Sequence, residues 1–241
     1  MEGYGPQTYG ERAADLYDDW HRELPGLDDC VECLAELAGP GPALELGVGT
    51  GRVALPLVQR GLEVHGIDAS PAMLAKLRAK PGGNRVRMIV GDMAAVGLDA
   101  SYSLVFAVFN TLFALVSQEE QVRCFANVAG RLTGGGVFVV EAFVPDPGGR
   151  QGVRALRVTL DSVLLAVSSE DPVAQRIDAQ QVLLGSQGVR LVPGVLRYAW
   201  PAELDLMARL AGLRLRERWG GWRREPFTAD SPTHVSVYQH E

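Results

Sequence analysis

Ala43-Leu44-Glu45-Leu46-Gly47-Val48-Gly49-Thr50-Gly51-Arg52 is the stretch on which the reading of this chain turns. Residues 43–48 predict a short buried strand, and the glycines at 47, 49 and 51 predict a turn. A helix follows over 52–60, with Gly61 suited to its C-terminal cap. Glycines let a ligand approach the backbone closely, and the N-terminus of the next helix offers unpaired N–H donors. Downstream a second strand ends in Gly66-Ile67-Asp68, with Asp68 17 residues beyond Gly51. A carboxylate at that place can accept both hydroxyls of a ribose.

The same alternation continues outward. Strands are expected over 62–67, 86–90, 102–109 and 137–143, and helices over 70–80 and 118–132, the latter closed by Gly134-Gly135-Gly136. Apolar strands alternating with helices mean a parallel sheet covered on both faces. Upstream, helices are expected over 11–23 and 27–38, and Tyr9 falls in a flexible lead. In the first helix Ala14, Leu16, Tyr17 and Trp20 take the inward positions. After Pro145 the pattern changes: 153–160, 163–169, 173–184 and 189–200 carry β-branched residues and partial alternation, an antiparallel meander. A helix over 202–211 and strands over 213–219 and 234–239 complete the chain.

A glycine-rich turn with an acid after strand two also suits a nicotinamide dehydrogenase. The details favour another cofactor. The spacing is G-x-G-x-G rather than G-x-G-x-x-G, Glu45 precedes the first glycine by two positions, and Asp92 follows strand three in Val90-Gly91-Asp92-Met93. Together these residues resemble the class I S-adenosylmethionine-dependent methyltransferases. Glu45, Gly47, Gly49 and Gly51 look like their first motif, which holds the methionine part of the cofactor. Asp68 matches their ribose-binding acid, and Asp92 with Met93 their adenine-binding pair. The stretch 135–141 is similar to their late glycine-glycine-hydrophobic strand.

The resemblance implies an α/β fold: a Rossmann-like, seven-stranded, mostly parallel sheet with helices on both faces and an antiparallel last strand at 234–239, plus the inserted meander. It implies one domain over 1–241, with 1–40 as a helical lid and 146–200 as a substrate-side sheet. Tyr17, Ala69, Met73, Gly91, Phe109 and Asn110 join the expected cofactor set, and Trp20 and Thr111 lie near it. Around the motifs, the Tyr-bearing N-terminus and the stretch 225–229 look like small enzymes of natural-product pathways, some acting on amino sugars and others on peptide amines. The implied reaction is methyl transfer to nitrogen or oxygen of a small molecule or short peptide. A nicotinamide oxidoreductase and a non-catalytic cofactor-binding protein are the competing readings.

Composition sets the outer bounds. The 241 residues are 47% hydrophobic and 22% charged, ordinary for a globular chain. A net charge of -6 argues against a dedicated nucleic-acid binder, and so does Asn110-Thr111-Leu112-Phe113 where amide- and base-methylating enzymes often carry Asn-Pro-Pro-aromatic. No apolar run approaches the roughly 20 residues that span a bilayer. The first residues lack the basic and apolar regions of a secretory signal, and three cysteines leave one odd thiol, so a reducing cytoplasm is expected. A monomer or a homodimer is expected, the choice between them left open.

Other groups carry weaker signals. Cys30 and Cys33 form C-x-x-C within a helix without a second ligand pair, so packing is expected and no metal. His65 is mid-strand and structural. His21, on the lid, and Glu141, near the end of strand five, are the candidate bases. Arg214, Arg216 and Arg218 alternate along a strand and are expected on one solvated face.

Overall fold

The structure is a computed structural model that describes residues 3–22, 25–95, 100–146, 149 and 151–241. Two short helices, α1 (Thr8–Ala13) and α2 (Tyr17–Trp20), open the chain, followed by α3 (Leu27–Ala38). The alternating unit is β1 (Ala43–Leu46), α4 (Ala54–Gln59), β2 (Val64–Asp68), α5 (Pro71–Ala79), β3 (Arg87–Val90), β4 (Tyr102–Ala107), α6 (Gln118–Ala129) and β5 (Leu132–Phe143). Four antiparallel strands follow: β6 (Gly152–Val158), β7 (Ser162–Asp171), β8 (Arg176–Gly185) and β9 (Gly188–Arg197). The chain closes with α7 (Pro201–Leu210), β10 (Leu213–Trp219) and β11 (Thr233–His240).

The large sheet runs β3-β2-β1-β4-β5-β11-β10. Its first five strands are parallel, and β11 enters antiparallel beside β5 over residues 233–239. Alternate residues of β4 and β5 feed two cores. Leu104, Phe106, Val137 and Val139 meet α3, α4 and α5, while Val105, Phe138 and Val140 meet α6 and α7. Local chemistry sets the helix starts. Ser70 accepts from the Met73 N–H ahead of Pro71, and Ser117 with Glu120 forms a capping box on α6. The order reverses at β1, which lies between β2 and β4, and this opens a crevice at the carboxyl ends of the strands. No helix among the described residues is long and apolar enough to cross a membrane.

Four expectations need correction. The helix expected over 11–23 is broken into α1 and α2, because the residues around the break are pulled in different directions. Ala13 and Ala14 pack on Met73 and Val192, Asp15 pairs with Arg190, and Asp18 reaches Thr50. Such tertiary contacts override a helical period. The expected end at Glu23 lies outside the described residues. Tyr9 is not in a flexible lead but within α1, packed in the same cluster. Gly134–136 do not end α6; they belong to β5, where a Cβ on Gly136 would stand 2.7 Å from the Tyr102 carbonyl. The arginines of β10 do not share one solvated face. A bulge between Leu215 and Glu217 breaks the alternation, and Arg218 is drawn inward onto Asp205 at 2.6 Å.

Candidate active site

The glycine turn hangs from β1 over the crevice. At two of its positions only glycine fits. Gly47 has φ +67°, and a Cβ there would meet the Thr111 methyl at 2.4 Å; Gly51 has φ +81°, and a Cβ there would meet Leu77 at 2.2 Å. Asp68, at the end of β2, ties the turn to the next helix. Its Oδ2 accepts from the Gly49 N–H at 2.8 Å and its Oδ1 from the Ser70 N–H at 2.8 Å. Burial raises its pKa, and the two N–H groups pull it back. Each of its oxygens keeps a second acceptor position.

A narrow cavity lies against the turn, lined by Tyr17, Glu45, Gly47, Gly49, Arg52, Phe109 and Thr111 among others. Glu45 is fully buried, which pushes its carboxyl well above the usual range, while Arg52 draws it down. Glu45 Oε2 and Arg52 Nη1 are both buried and have no hydrogen-bond partner among the described residues. The Arg52 guanidinium lies 3.9 Å over the Phe109 ring and 5.6 Å from the Tyr17 ring. Tyr17 meets Tyr9 edge-on, with ring centroids 6.4 Å apart, and the His21 ring at 4.4 Å. Burial, and then the charge of Arg52, hold His21 down to a pKa of about 4, so its imidazole is neutral at pH 7.

The N-terminal segment is fastened over this cavity from three sides. Asp18 accepts from the Thr50 hydroxyl at 2.6 Å and pairs with Lys80 at 2.8 Å, and Lys80 also donates to the Thr50 carbonyl at 2.8 Å. Glu11 accepts from the Ser70 hydroxyl at 2.8 Å and the Ala72 N–H at 3.0 Å, at the start of α5. Asp15 takes both arms of Arg190, on β9, at 2.5 and 2.6 Å.

Beyond β4 the backbone is strained where it passes the cavity. Phe109 and Asn110 hold φ of +55° and +65°, in the left-handed region that non-glycine residues seldom enter. Three bonds impose it: the Phe109 N–H donates to the Glu141 carboxylate, the Asn110 N–H to the Glu141 carbonyl at 3.2 Å, and the Phe143 N–H to Asn110 Oδ1 at 2.7 Å. Glu141 is thereby engaged in holding the turn, and burial raises its pKa.

Of the residues singled out from sequence, Tyr17, Glu45, Gly47, Gly49 and Phe109 meet at the cavity. Gly51 faces Leu77 instead, and Met73 packs with Ala13, Ala14 and Val192 under the lid, next to Ala72. Ala69 links Asp68 to the Ser70 cap. Gly91, Asp92 and Met93 lie one strand further along: the Gly91 N–H donates to the Asp68 carbonyl at 3.0 Å, Asp92 accepts from the Ala94 N–H at 2.8 Å, and Met93 packs on the α6 core. Cys30 and Cys33 are buried on the core face of α3, and burial raises both thiols. Arg52 was missed. Its signal was a cation placed just ahead of a helix N-terminus, against the dipole, where a positive charge needs another reason to be.

A glycine turn under a lid, an acid closing β2, and a parallel sheet ending in an antiparallel β11 make up a nucleotide-cofactor α/β fold. The methyltransferase domain family matches residues 43–136. The chain is 44% identical to the CcbJ methyltransferase of Streptomyces caelestis, with a TM-score of 0.92 over 98% of this chain and 99% of that one. It is 29% identical to a cypemycin N-terminal methyltransferase of a Streptomyces species, over 98% of this chain and 99% of the relative. The structure of SAM-bound CalS10, an amino pentose methyltransferase of Micromonospora echinaspora, superposes with a TM-score of 0.62 at 20% identity, over 98% of this chain and 92% of that one. The chain belongs to the S-adenosylmethionine-dependent methyltransferases, and its cofactor is S-adenosylmethionine. The nicotinamide and non-catalytic readings fall with that assignment.

Proposed function

We propose that this enzyme methylates an amine nitrogen of a small natural product or short peptide, and that the cavity beside the glycine turn takes the amino-acid end of the cofactor. The observation that carries the cofactor placement is a pair of buried atoms without hydrogen-bond partners among the described residues, Glu45 Oε2 and Arg52 Nη1, which belong to side chains of opposite charge lining one cavity. An ammonium and a carboxylate on the same carbon match that pair, and a buried polar atom without a hydrogen bond is costly enough to favour a ligand that supplies one. Asp68 fits the ribose hydroxyls with its free acceptor positions, and Asp92 with Met93 fits the adenine.

When bound, the cofactor supplies a methyl group already activated by its sulfonium. What remains for the chain is alignment and the exclusion of water, worth about 7–11 kcal/mol when an attack is well oriented. In this reading α1 and α2 serve as a lid and the inserted strands β6–β9 as a substrate-side wall, and together they do both. The two candidate bases point to the acceptor atom. Glu141 is engaged by Phe109, and His21 is held against Tyr17 as a neutral imidazole. A hydroxyl acceptor needs a free base, whereas an amine that arrives neutral needs none to begin its attack. Similarity over nearly the whole length to a cypemycin N-terminal methyltransferase supports the same choice. The three cysteines are buried and free of disulfides, which suits a reducing cytoplasm.

Calorimetry with two ligands tests the placement. S-adenosylhomocysteine carries the amino-acid group and methylthioadenosine lacks it. Arg52→Ala is expected to weaken the first at least tenfold and leave the second within about twofold. Equal losses for both ligands, or none, would put the amino-acid group elsewhere.

A further inference from the structure

The inserted sheet rejoins the core through a buried ion pair. At the end of β9 Arg197 is 7% exposed, and its guanidinium meets Glu203, in the first turn of α7, at 2.7 Å. Glutamines complete the cluster. Arg197 Nη1 donates to Gln121 Oε1 at 2.7 Å, and Nη2 donates to Gln175 Oε1 at 2.9 Å. Glu203 accepts from Gln118 Nε2 and Gln175 Nε2, each at 2.8 Å. Burial opposes the charge on Glu203, but the bonds from Arg197, Gln175 and Gln118 outweigh it and hold its carboxyl below the usual range. Gln175 itself sits at a φ of +53°, and its carbonyl accepts from the Tyr198 N–H at 2.9 Å.

The far side of the cluster is the turn beside the cofactor cavity. Gln121 has no exposed surface, and its Nε2 donates to the Arg197 carbonyl at 2.7 Å and to the Leu115 carbonyl at 3.1 Å. Leu115 closes the tight helical turn Thr111–Ala114, whose first residue lines the cavity. A second link runs through the neighbouring residue. The Tyr198 ring lies 6.4 Å from the Phe143 ring, Phe143 meets Phe113 edge-on at 5.1 Å, and the Phe143 N–H holds Asn110. Two adjacent residues at the root of the inserted sheet, Arg197 and Tyr198, therefore each lead to the strained turn after β4.

A buried ion pair seldom adds stability over apolar residues of similar volume, but its bonds have fixed directions. Apolar side chains would fill this space without setting an angle between the elements. We propose that Arg197 is a positioning residue for methyl transfer: with Glu203 and these glutamines it sets the inserted sheet in register with the turn after β4, and so fixes the acceptor wall against the cofactor. The proposal rests on the reading of the inserted strands as that wall. Arg197 acts through Gln121 and Leu115 and touches neither ligand.

Arg197→Met combined with Glu203→Met tests the proposal, because it removes both charges where either change alone would strand a buried one. The double variant is expected to melt within about 4 °C of the unaltered enzyme and to bind S-adenosylhomocysteine within about twofold. Hydrogen exchange read by mass spectrometry is expected to rise at least about tenfold in residues 109–115 and to stay unchanged in β1. In methyl transfer to dilutions of the low-mass fraction of the source cells, the half-saturating S-adenosylmethionine concentration is expected to hold within about twofold. The rate at limiting fraction is expected to fall at least about tenfold. Gln121→Leu leaves the ion pair in place and cuts its link to Leu115, and is expected to raise the same exchange. Exchange in residues 109–115 that stays at the unaltered rate in both variants, or rises equally in β1, would overturn the proposal. So would unaltered transfer by the double variant. No transfer to that fraction by the unaltered enzyme would remove the acceptor reading alone, and the exchange measurement still decides the role of Arg197.

Discussion

At the scale of single residues, the site is built on carboxylates that would be more comfortable in water. Glu45, Asp68 and Glu141 all have raised pKa values, with burial as the leading cause. A raised carboxyl binds its proton more tightly in the folded chain. Its contribution to stability is full below the unfolded pKa and is lost as pH rises through the folded one, so at neutral pH these groups weaken the fold. Glu45→Gln removes that cost. It is expected to raise the melting temperature of the ligand-free enzyme by roughly 2–4 °C, as about 1 kcal/mol does in a chain of this size. The same substitution should weaken S-adenosylhomocysteine. Calorimetry beside a thermal melt checks both halves, and a lower melting temperature with unchanged affinity would show that Glu45 serves the fold instead. The glycines and Asp68 could be read from sequence because turn chemistry and spacing are local. The pairing of Glu45 with Arg52 could not, because it needs the helix start and the strand end brought to one cavity wall.

At the scale of elements, α1 and α2 form a lid whose fastenings are polar and mostly near the surface. Ion pairs of that kind contribute about 0–1 kcal/mol each, so the lid can open without unfolding the sheet. Asp18 is the fastening that reaches the glycine turn itself, through Thr50 and Lys80. Asp18→Ala is expected to speed S-adenosylhomocysteine dissociation several-fold in stopped-flow measurements while changing the melting temperature by less than about 3 °C. An unchanged dissociation rate would mean that the lid does not gate the cofactor. The lid was the element least legible in sequence. Ala14, Leu16, Tyr17 and Trp20 follow a helical period, but contacts to α5 and β9, distant in sequence, break the helix at Ala14. The inserted strands were far more legible, since the turns expected at 161–162, 171–172 and 185–188, written in Asp, Pro and Gly, overlap the breaks between strands at 159–161, 172–175 and 186–187. The bulges at Leu156 and Arg216 left no trace in the pattern, and they decide which way the arginines of β6 and β10 point.

At the scale of the whole molecule, the sheet order and the antiparallel β11 follow from the alternation and the family resemblance, and one part of the response to acid follows from what β11 buries. His234 has no exposed surface, bonds Ser236 through Nδ1 at 2.9 Å, and is held to a pKa of about 4 by burial and then by Arg218. The unfolded chain takes up that proton near pH 6.5, before the folded chain does. Stability from this residue is therefore complete above pH 6.5 and is lost as pH falls toward 4. His234→Asn keeps a polar partner for Ser236 without the titration. Between pH 7 and 4.5 it should lose about 2 kcal/mol less than the unaltered enzyme in urea unfolding. Equal losses would assign the acid sensitivity to other groups.

The central claim is that the enzyme carries a methyl group from S-adenosylmethionine to an amine of a small molecule or short peptide. The most direct measurement incubates the purified enzyme with methyl-labelled S-adenosylmethionine and a size-fractionated extract of the source cells, with S-adenosylhomocysteine titration as the binding control. Label is predicted in the low-mass fraction, on nitrogen, in a product stable to base. Label in protein or nucleic acid, label on oxygen, or no transfer despite tight S-adenosylhomocysteine binding would contradict it.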